Sequence, residues 1–327
     1  MNEHEKFNIL AHSIVHSLHY QFMRNNIAIL DLGSNLTKLV VVEKSLPLQV
    51  LHRSVYDTKT LKSAPKGYFD AVSISRIEQD IEKILNVAAQ FNCTTILGIA
   101  TSAFRTRENG KEVMDSINTK FGINIQIIEG EREAHLIYKG ALASVKPSHF
   151  PVMVMDIGGG STEFIIGTDT AILWKHSFNF GSTALTKDFN ISNPISKPET
   201  LQLIQLLKDF LPSLFDAINK FNPTALIGTT GAFESFAQLI ESKQGNSTPV
   251  ASGYSFQNTP LTDTLDMLIE STTAERIAMG GMNLLRVDTI PIAALIFKFV
   301  RNATHFTETK LSLGDVKEGL ALEYLEK

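Results

Sequence analysis

The chain has 327 residues, 43% of them hydrophobic and 20% charged, the balance of a globular protein able to bury real cores; at ~100–200 residues per domain the length suggests two domains. A formal net charge of −4 excludes the broad basic surface that holds nucleic acid, so an anion site must be local, built from backbone N–H groups, a few cations and a metal. Cys93 is the only cysteine, which excludes an intrachain disulfide and argues against a thiolate zinc site.

Residues 1–25 contain Glu3, Glu5 and four histidines without a long apolar run, so they do not read as a secretory signal. His12, His16 and His19 have helical spacing, which fits an amphipathic helix or a tail better than a metal site. Residues 27–30 and 39–42 are apolar and flank Asp31-Leu-Gly-Ser-Asn35, a strand, tight turn and strand. A hairpin or loop region follows. Ser75 and Glu78 form a capping-box pattern ahead of the stripe Ile77, Ile81, Ile84, Leu85, Ala88 and Phe91. Residues 95–100 read as a buried strand, 111–121 as a helix and 123–128 as a strand. This alternation predicts an α/β architecture.

The opening pattern then recurs. Residues 152–155 and 164–167 flank Asp156-Ile-Gly-Gly-Gly-Ser-Thr-Glu163, and Asp31, Gly33 and Thr37 fall on Asp156, Gly158 and Thr162. Two such units in one chain predict duplicated domains facing each other across a cleft. A long helix over 198–221, kinked at Pro212, comes next. A strand at 225–228 leads through Thr229-Thr230-Gly231 into a helix over 233–240. Further helices are expected over 263–279 and 290–300, with a loop over 245–259. The 290–300 stretch is interrupted by Lys298 and falls short of the ~20 residues that span a bilayer. The chain therefore reads as cytoplasmic, with no membrane partner.

Turns whose N–H groups converge are suited to phosphate, and glycine lets the anion approach the backbone. Both Asp-Gly turns meet that need, with hydroxyls from Ser34, Ser161 and Thr162 as added donors. Thr230 and Gly231, at a helix start, offer a third anion-binding turn. Any one of these turns is as readily a plain hairpin; the three together point to a phosphate chain. Asp31 and Asp156 either cap their turns or hold a divalent cation such as Mg²⁺. Glu133 and Glu163 are candidates for orienting water, which phosphoryl transfer requires. Glu131 and Glu133 also fit the charge pattern of a helix N-terminus. Arg105 and Arg107 follow a strand end, where a guanidinium can grip phosphate or remain solvated.

In order and spacing, residues 31–37, 101–105, 130–134, 156–163 and 228–231 resemble the exopolyphosphatase/guanosine pentaphosphate phosphohydrolase (Ppx/GppA) family of the actin-like superfamily. The likeness runs from residue 26 to the end, where 313–319 resembles the family's closing segment. It implies two actin-like, ribonuclease H-like α/β domains flanking a central cleft: 26–140, joined by a C-terminal helix over 306–327 that packs back on it, and 141–305. It implies that Glu133 activates water and that Asp156, Asp31 and Glu163 hold magnesium, Glu163 also orienting the water. Ser34 and Asn35 would form the first phosphate loop and Gly158, Gly159, Gly160, Ser161 and Thr162 the second, with Arg105 gripping phosphate. Arg132 and Leu36 depart from residues frequent in the family, and the HD-type C-terminal region of longer members is missing, which leaves processivity on very long chains open. The implied partner is inorganic polyphosphate, with guanosine pentaphosphate as the alternative; a homodimer is left open. The rivals are an ATP-dependent kinase on the same fold and a non-catalytic phosphate sensor or scaffold.

Overall fold

A computed structural model of the chain describes residues 25–59 and 67–327; the N-terminal histidines at 12, 16 and 19 lie outside the described residues. The repeated apolar–Asp-Gly–apolar pattern forms the centre of each of two five-stranded sheets. Strands β1 (Asn26–Leu32) and β2 (Thr37–Glu43) are buried almost throughout, as their continuous apolar sequence requires. They pair antiparallel, while β1 pairs parallel with β4 (Cys93–Ala100). With β3 (Val50–Tyr56) and β5 (Ile125–Ile127) the first sheet has the order β3-β2-β1-β4-β5.

The second sheet contains β6 (Val152–Ile157), β7 (Thr162–Gly167), β8 (Ile172–Phe178), β9 (Ala225–Thr229) and β10 (Glu308–Ser312). Its order, β10-β9-β6-β7-β8, is the first sheet's order read from the other edge, with antiparallel β6–β7 and parallel β6–β9 pairs. The molecule is thus the expected α/β pair of related halves. The equivalence extends past the turns: Thr101-Ser-Ala-Phe-Arg105 after β4 answers Thr230-Gly-Ala-Phe-Glu234 after β9.

Helix α1 (Ala71–Gln90) and helix α3 (Gly110–Phe121), which follows the short α2 (Ser102–Arg105), cover the first sheet through Ile77, Ile81, Ile84, Val113 and Ile117. Between the sheets run α4 (Gly130–Ser144) and the C-terminal helix Val316–Leu325. One core joins Leu136 and Ile137 of α4 to Val152, Val154 and Ile227 of the second sheet, and to Ile99 of the first. These two helices cross closely, since a Cβ at Gly319 would lie 2.0 Å from the Leu136 carbonyl oxygen. Glycine is the residue that permits this seam.

Several sequence expectations are corrected. The first helix starts at Ala71, not at Ser75: Asp70 accepts the Ser73 N–H at 2.8 Å and supplies the cap. Pro212 divides the expected long helix in two, Lys197–Phe210 and Pro212–Phe221, because a proline without N–H is better placed at a helix start than inside one. The 263–279 segment likewise splits into Asn258–Glu270 and Thr273–Ala278. Residues 306–327 hold a strand of the second sheet as well as the helix that returns to the first. Edge strand β3 falls in the region expected as a hairpin or loop, and edge strand β8 was not expected; both are half-exposed, with His52 and Arg53 or Lys175 and His176 interrupting their apolar residues.

Candidate active site

Both Asp-Gly turns close in the same way. The Gly33 N–H donates to the Leu36 carbonyl at 3.1 Å, and the Gly158 N–H donates to that of Ser161 at 3.0 Å. The turns meet across the interdomain cleft: a Cβ on Gly160 would stand 2.5 Å from Ser34 Oγ and 2.6 Å from Ser102 Oγ. Between them lies a cavity of about 70 Å³, lined by Asp31, Ser34, Asn35, Glu133, Asp156, Gly158, Gly159, Gly160, Ser161, Glu163 and Gly231. Asp31 and Gly231, 200 positions apart, are brought together because equivalent turns sit at the same end of two facing sheets.

Two expected phosphate ligands are placed elsewhere. Thr162 is fully buried and its hydroxyl donates to the Phe180 carbonyl at 2.8 Å, so it braces the loop instead of facing the cavity. Arg105 stands behind Glu133, not on the cavity wall: its Nη1 donates to Glu133 Oε2 at 2.7 Å and to the Ile128 carbonyl at 2.8 Å. Gly231 lines the cavity with φ of 56°, a left-handed value that favours glycine. Thr230 begins the helix Thr230–Lys243; its side chain lies outside the described part of the structure.

Four carboxylates share this enclosed space, and burial raises the pKa of each. Glu133 is pushed up to about 7 by burial, opposed by Arg105 and reinforced by Asp31 and Asp156. Asp156 is pushed up to about 6, again chiefly by burial, with Lys38 opposing. Burial also raises Asp31, against the pull of Lys38 and Lys317. Glu163 is held well above the carboxylate range by burial and by the charges of Glu133 and Asp156, although Ser177 Oγ donates to its Oε1 at 2.7 Å. Clustered carboxylates of this kind mark a site prepared for a cation or for proton transfer.

Sequence reasoning missed the cations on the wall. Lys38 and Arg286 both line the cavity, and Lys38 Nζ lies 3.6 Å from Asp31 Oδ2 and 3.3 Å from Asp315 Oδ2. Lys38 had a signal: it follows Asp31 by the interval that separates Glu163 from Asp156. Arg286, on a single turn of 3₁₀ helix over Leu284–Arg286, had none. Among the described residues no three His, Cys, Asp or Glu side chains form a metal cage by themselves. Asp31 Oδ1 is nonetheless buried without a hydrogen-bond partner. The arrangement can seat phosphate between two N–H-rich turns, with cations at its margin and a near-neutral carboxylate beside it.

Comparison with known proteins agrees in extent. The model of the Ppx/GppA phosphatase family matches residues 39–327. Exopolyphosphatase 1 of Mycobacterium tuberculosis (strain ATCC 25618 / H37Rv) is 24% identical over 320 residues, covering 92% of this chain and 88% of the relative. A putative exopolyphosphatase of Haemophilus influenzae is 26% identical over 301 residues, covering 90% of each. Among solved structures, an exopolyphosphatase from Cytophaga hutchinsonii superposes with a TM-score of 0.88 at 27% identity, over 92% of this chain and 98% of that one.

Proposed function

The chain belongs to the Ppx/GppA phosphatase family, and on that premise we propose that it is an exopolyphosphatase, a hydrolase that removes the terminal phosphate of inorganic polyphosphate. The observation that carries the reading is the position of Glu133: buried on the wall of a cavity framed by two phosphate-suited turns, and fixed by Arg105 at 2.7 Å. Relatives across nearly the whole chain are named exopolyphosphatases.

In this reading the N–H groups of both turns, with Ser34, Asn35 and Ser161, hold the terminal phosphates. Glu133 takes a proton from water as the water oxygen bonds to the terminal phosphorus. The bridging P–O bond breaks in line, the shortened chain leaves with the bridging oxygen, and orthophosphate is released. Arg105 keeps the Glu133 carboxylate in one orientation, and closure of the halves excludes bulk water. The donor set fits a divalent cation: the oxygens are hard, and a buried carboxylate oxygen of Asp31 lacks a partner. Asp31, Asp156 and Glu163 would hold Mg²⁺, which when bound neutralises charge on phosphate oxygens. Magnesium commonly keeps several waters, so a cage of three protein carboxylates is not required. Among the described residues no helix is long and apolar enough to cross a membrane; the reading places the enzyme in the cytoplasm.

The test is phosphate release from polyphosphates of several lengths, with guanosine pentaphosphate and ATP alongside. The expected result is the highest kcat/KM on polyphosphate. A higher kcat/KM on pentaphosphate transfers the assignment to the nucleotide, and phosphate passed from ATP to an acceptor makes the chain a kinase.

A further inference from the structure

We propose that Asp315 is a positioning residue for the active site: by drawing the Lys38 ammonium toward the C-terminal helix, it leaves the Asp31 carboxylate able to accept a divalent cation. The inference rests on the reading of Asp31 as a cation ligand. Lys38 sits directly across the strand ladder from Asp31, where a lysine would otherwise form a closed ion pair with it. Here Lys38 Nζ is shared between two carboxylates: it donates a hydrogen bond to Asp315 Oδ2 at 3.3 Å and forms a longer ion pair with Asp31 Oδ2 at 3.6 Å. Asp31 Oδ1 is buried and has no hydrogen-bond partner.

Asp315 is built to stay in place. It is fully buried, and its carboxylate accepts the Lys317 N–H at 3.0 Å and both bonds of the Lys317 ammonium, at 2.6 and 2.7 Å. Its own N–H donates to Glu318 Oε2 at 2.9 Å, completing a capping box at the start of the Val316–Leu325 helix. Glu318 in turn pairs with Arg53 of β3. The carboxylate is therefore anchored by a helix cap and a second lysine, whereas the Lys38 ammonium is held between two carboxylates and its side chain is 20% exposed. At these separations a buried ammonium divides its interaction between two carboxylates according to distance. Losing one of them drives it onto the other, because an unpaired buried charge is strongly unfavourable. Without Asp315, Lys38 would close on Asp31 and compete with the cation there.

The experiment measures Mn²⁺ binding to the full chain without substrate, by electron paramagnetic resonance of the free ion. It compares wild type, Asp315→Asn, Lys38→Met and the double variant, with circular dichroism to verify folding. Asparagine retains the helix cap. Asp315→Asn is expected to weaken Mn²⁺ binding about tenfold, and Lys38→Met to strengthen it; with Lys38 absent, Asp315→Asn should have no further effect. In turnover, Asp315→Asn should raise the magnesium concentration giving half-maximal rate while kcat at saturating magnesium stays within a few-fold. A merely structural role would lower stability and kcat without that opposition of signs. Unchanged Mn²⁺ affinity in folded Asp315→Asn overturns the proposal, as does weaker binding in Lys38→Met, which settles the matter even if the asparagine variant does not fold. A wild-type chain that releases phosphate yet binds no Mn²⁺ overturns the proposal and the cation reading of Asp31 but leaves the hydrolase assignment standing.

Discussion

Lys38 and Glu163 occupy one and the same place in the two halves of the molecule. Each lies directly across the ladder from the aspartate that opens its glycine turn, Lys38 opposite Asp31 and Glu163 opposite Asp156. A duplicated scaffold thus presents a cation from one side of the cleft and a carboxylate from the other. The same divergence recurs one element later, where Arg105 answers Glu234. A symmetric scaffold with asymmetric charge suits a substrate that must be held as an anion at one place and attacked by water at another.

Replacing Glu133 with glutamine keeps its shape and removes its ability to take a proton. Phosphate release should fall by at least ~100-fold, the usual general-base contribution. The thermal midpoint at pH 8 should not fall, since burial already disfavours the charged form. Near-normal turnover in the folded variant would take Glu133 out of that role.

The raised pKa of Glu133 has consequences of opposite sign for activity and stability. Ionised Glu133 is the active base, so kcat/KM should rise with pH through about 7. The folded state holds the proton more tightly than the unfolded state, so the stability contributed by this group is fully present below its ordinary 4.5 and is lost as pH rises through about 7. In chelator-treated protein, the wild type should therefore lose stability relative to Glu133→Gln between those pH values. Added magnesium should move the rising limb of activity to lower pH, because a nearby cation favours the ionised carboxylates. A stability difference that grows toward acid pH would contradict this assignment.

Arg105 is tied to Glu133 and to the Ile128 carbonyl through a single nitrogen, while its Nη2 is buried without a partner. Lysine keeps the charge but has a shorter stem and no planar guanidinium, so its ammonium cannot occupy the Nη1 position between the two acceptors. Arg105→Lys should lower kcat by roughly ten- to a hundredfold, and should shift the rising pH limb upward as the cation withdraws from Glu133 and its hydrogen bond is lost. If KM rises alone and the pH profile is unchanged, Arg105 touches substrate instead of orienting the base.

Gly181 supports the second turn from behind: a Cβ there would lie 2.6 Å from both the carbonyl carbon and the oxygen of Gly159, and 2.7 Å from the Gly160 nitrogen. These are backbone atoms with no rotamer to change. Gly181→Ala should destabilise the protein by about 1–3 kcal/mol through overpacking and raise KM by displacing the turn's N–H groups. Calorimetry combined with steady-state kinetics measures both effects, and an unchanged KM would show that the turn's position is unimportant for binding.

Much of this molecule was legible in the amino-acid order alone. The two Asp-Gly turns, their apolar flanks and their common spacing announced a duplicated α/β scaffold, because buried central strands must be apolar and a tight turn beside an anion calls for glycine. Strand β8 escaped notice and β3 reads from the sequence only as hairpin or loop, since an edge strand with one wet face carries a weaker apolar signal. What only the folded chain decided was which charges meet. Arg105 is directed to Glu133 instead of to the cavity, Thr162 turns its hydroxyl to Phe180, and Lys38 is drawn to Asp315, 277 positions away. Burial then sets the proton affinity of Glu133, a quantity with no local signature because it depends on solvent excluded by both halves together.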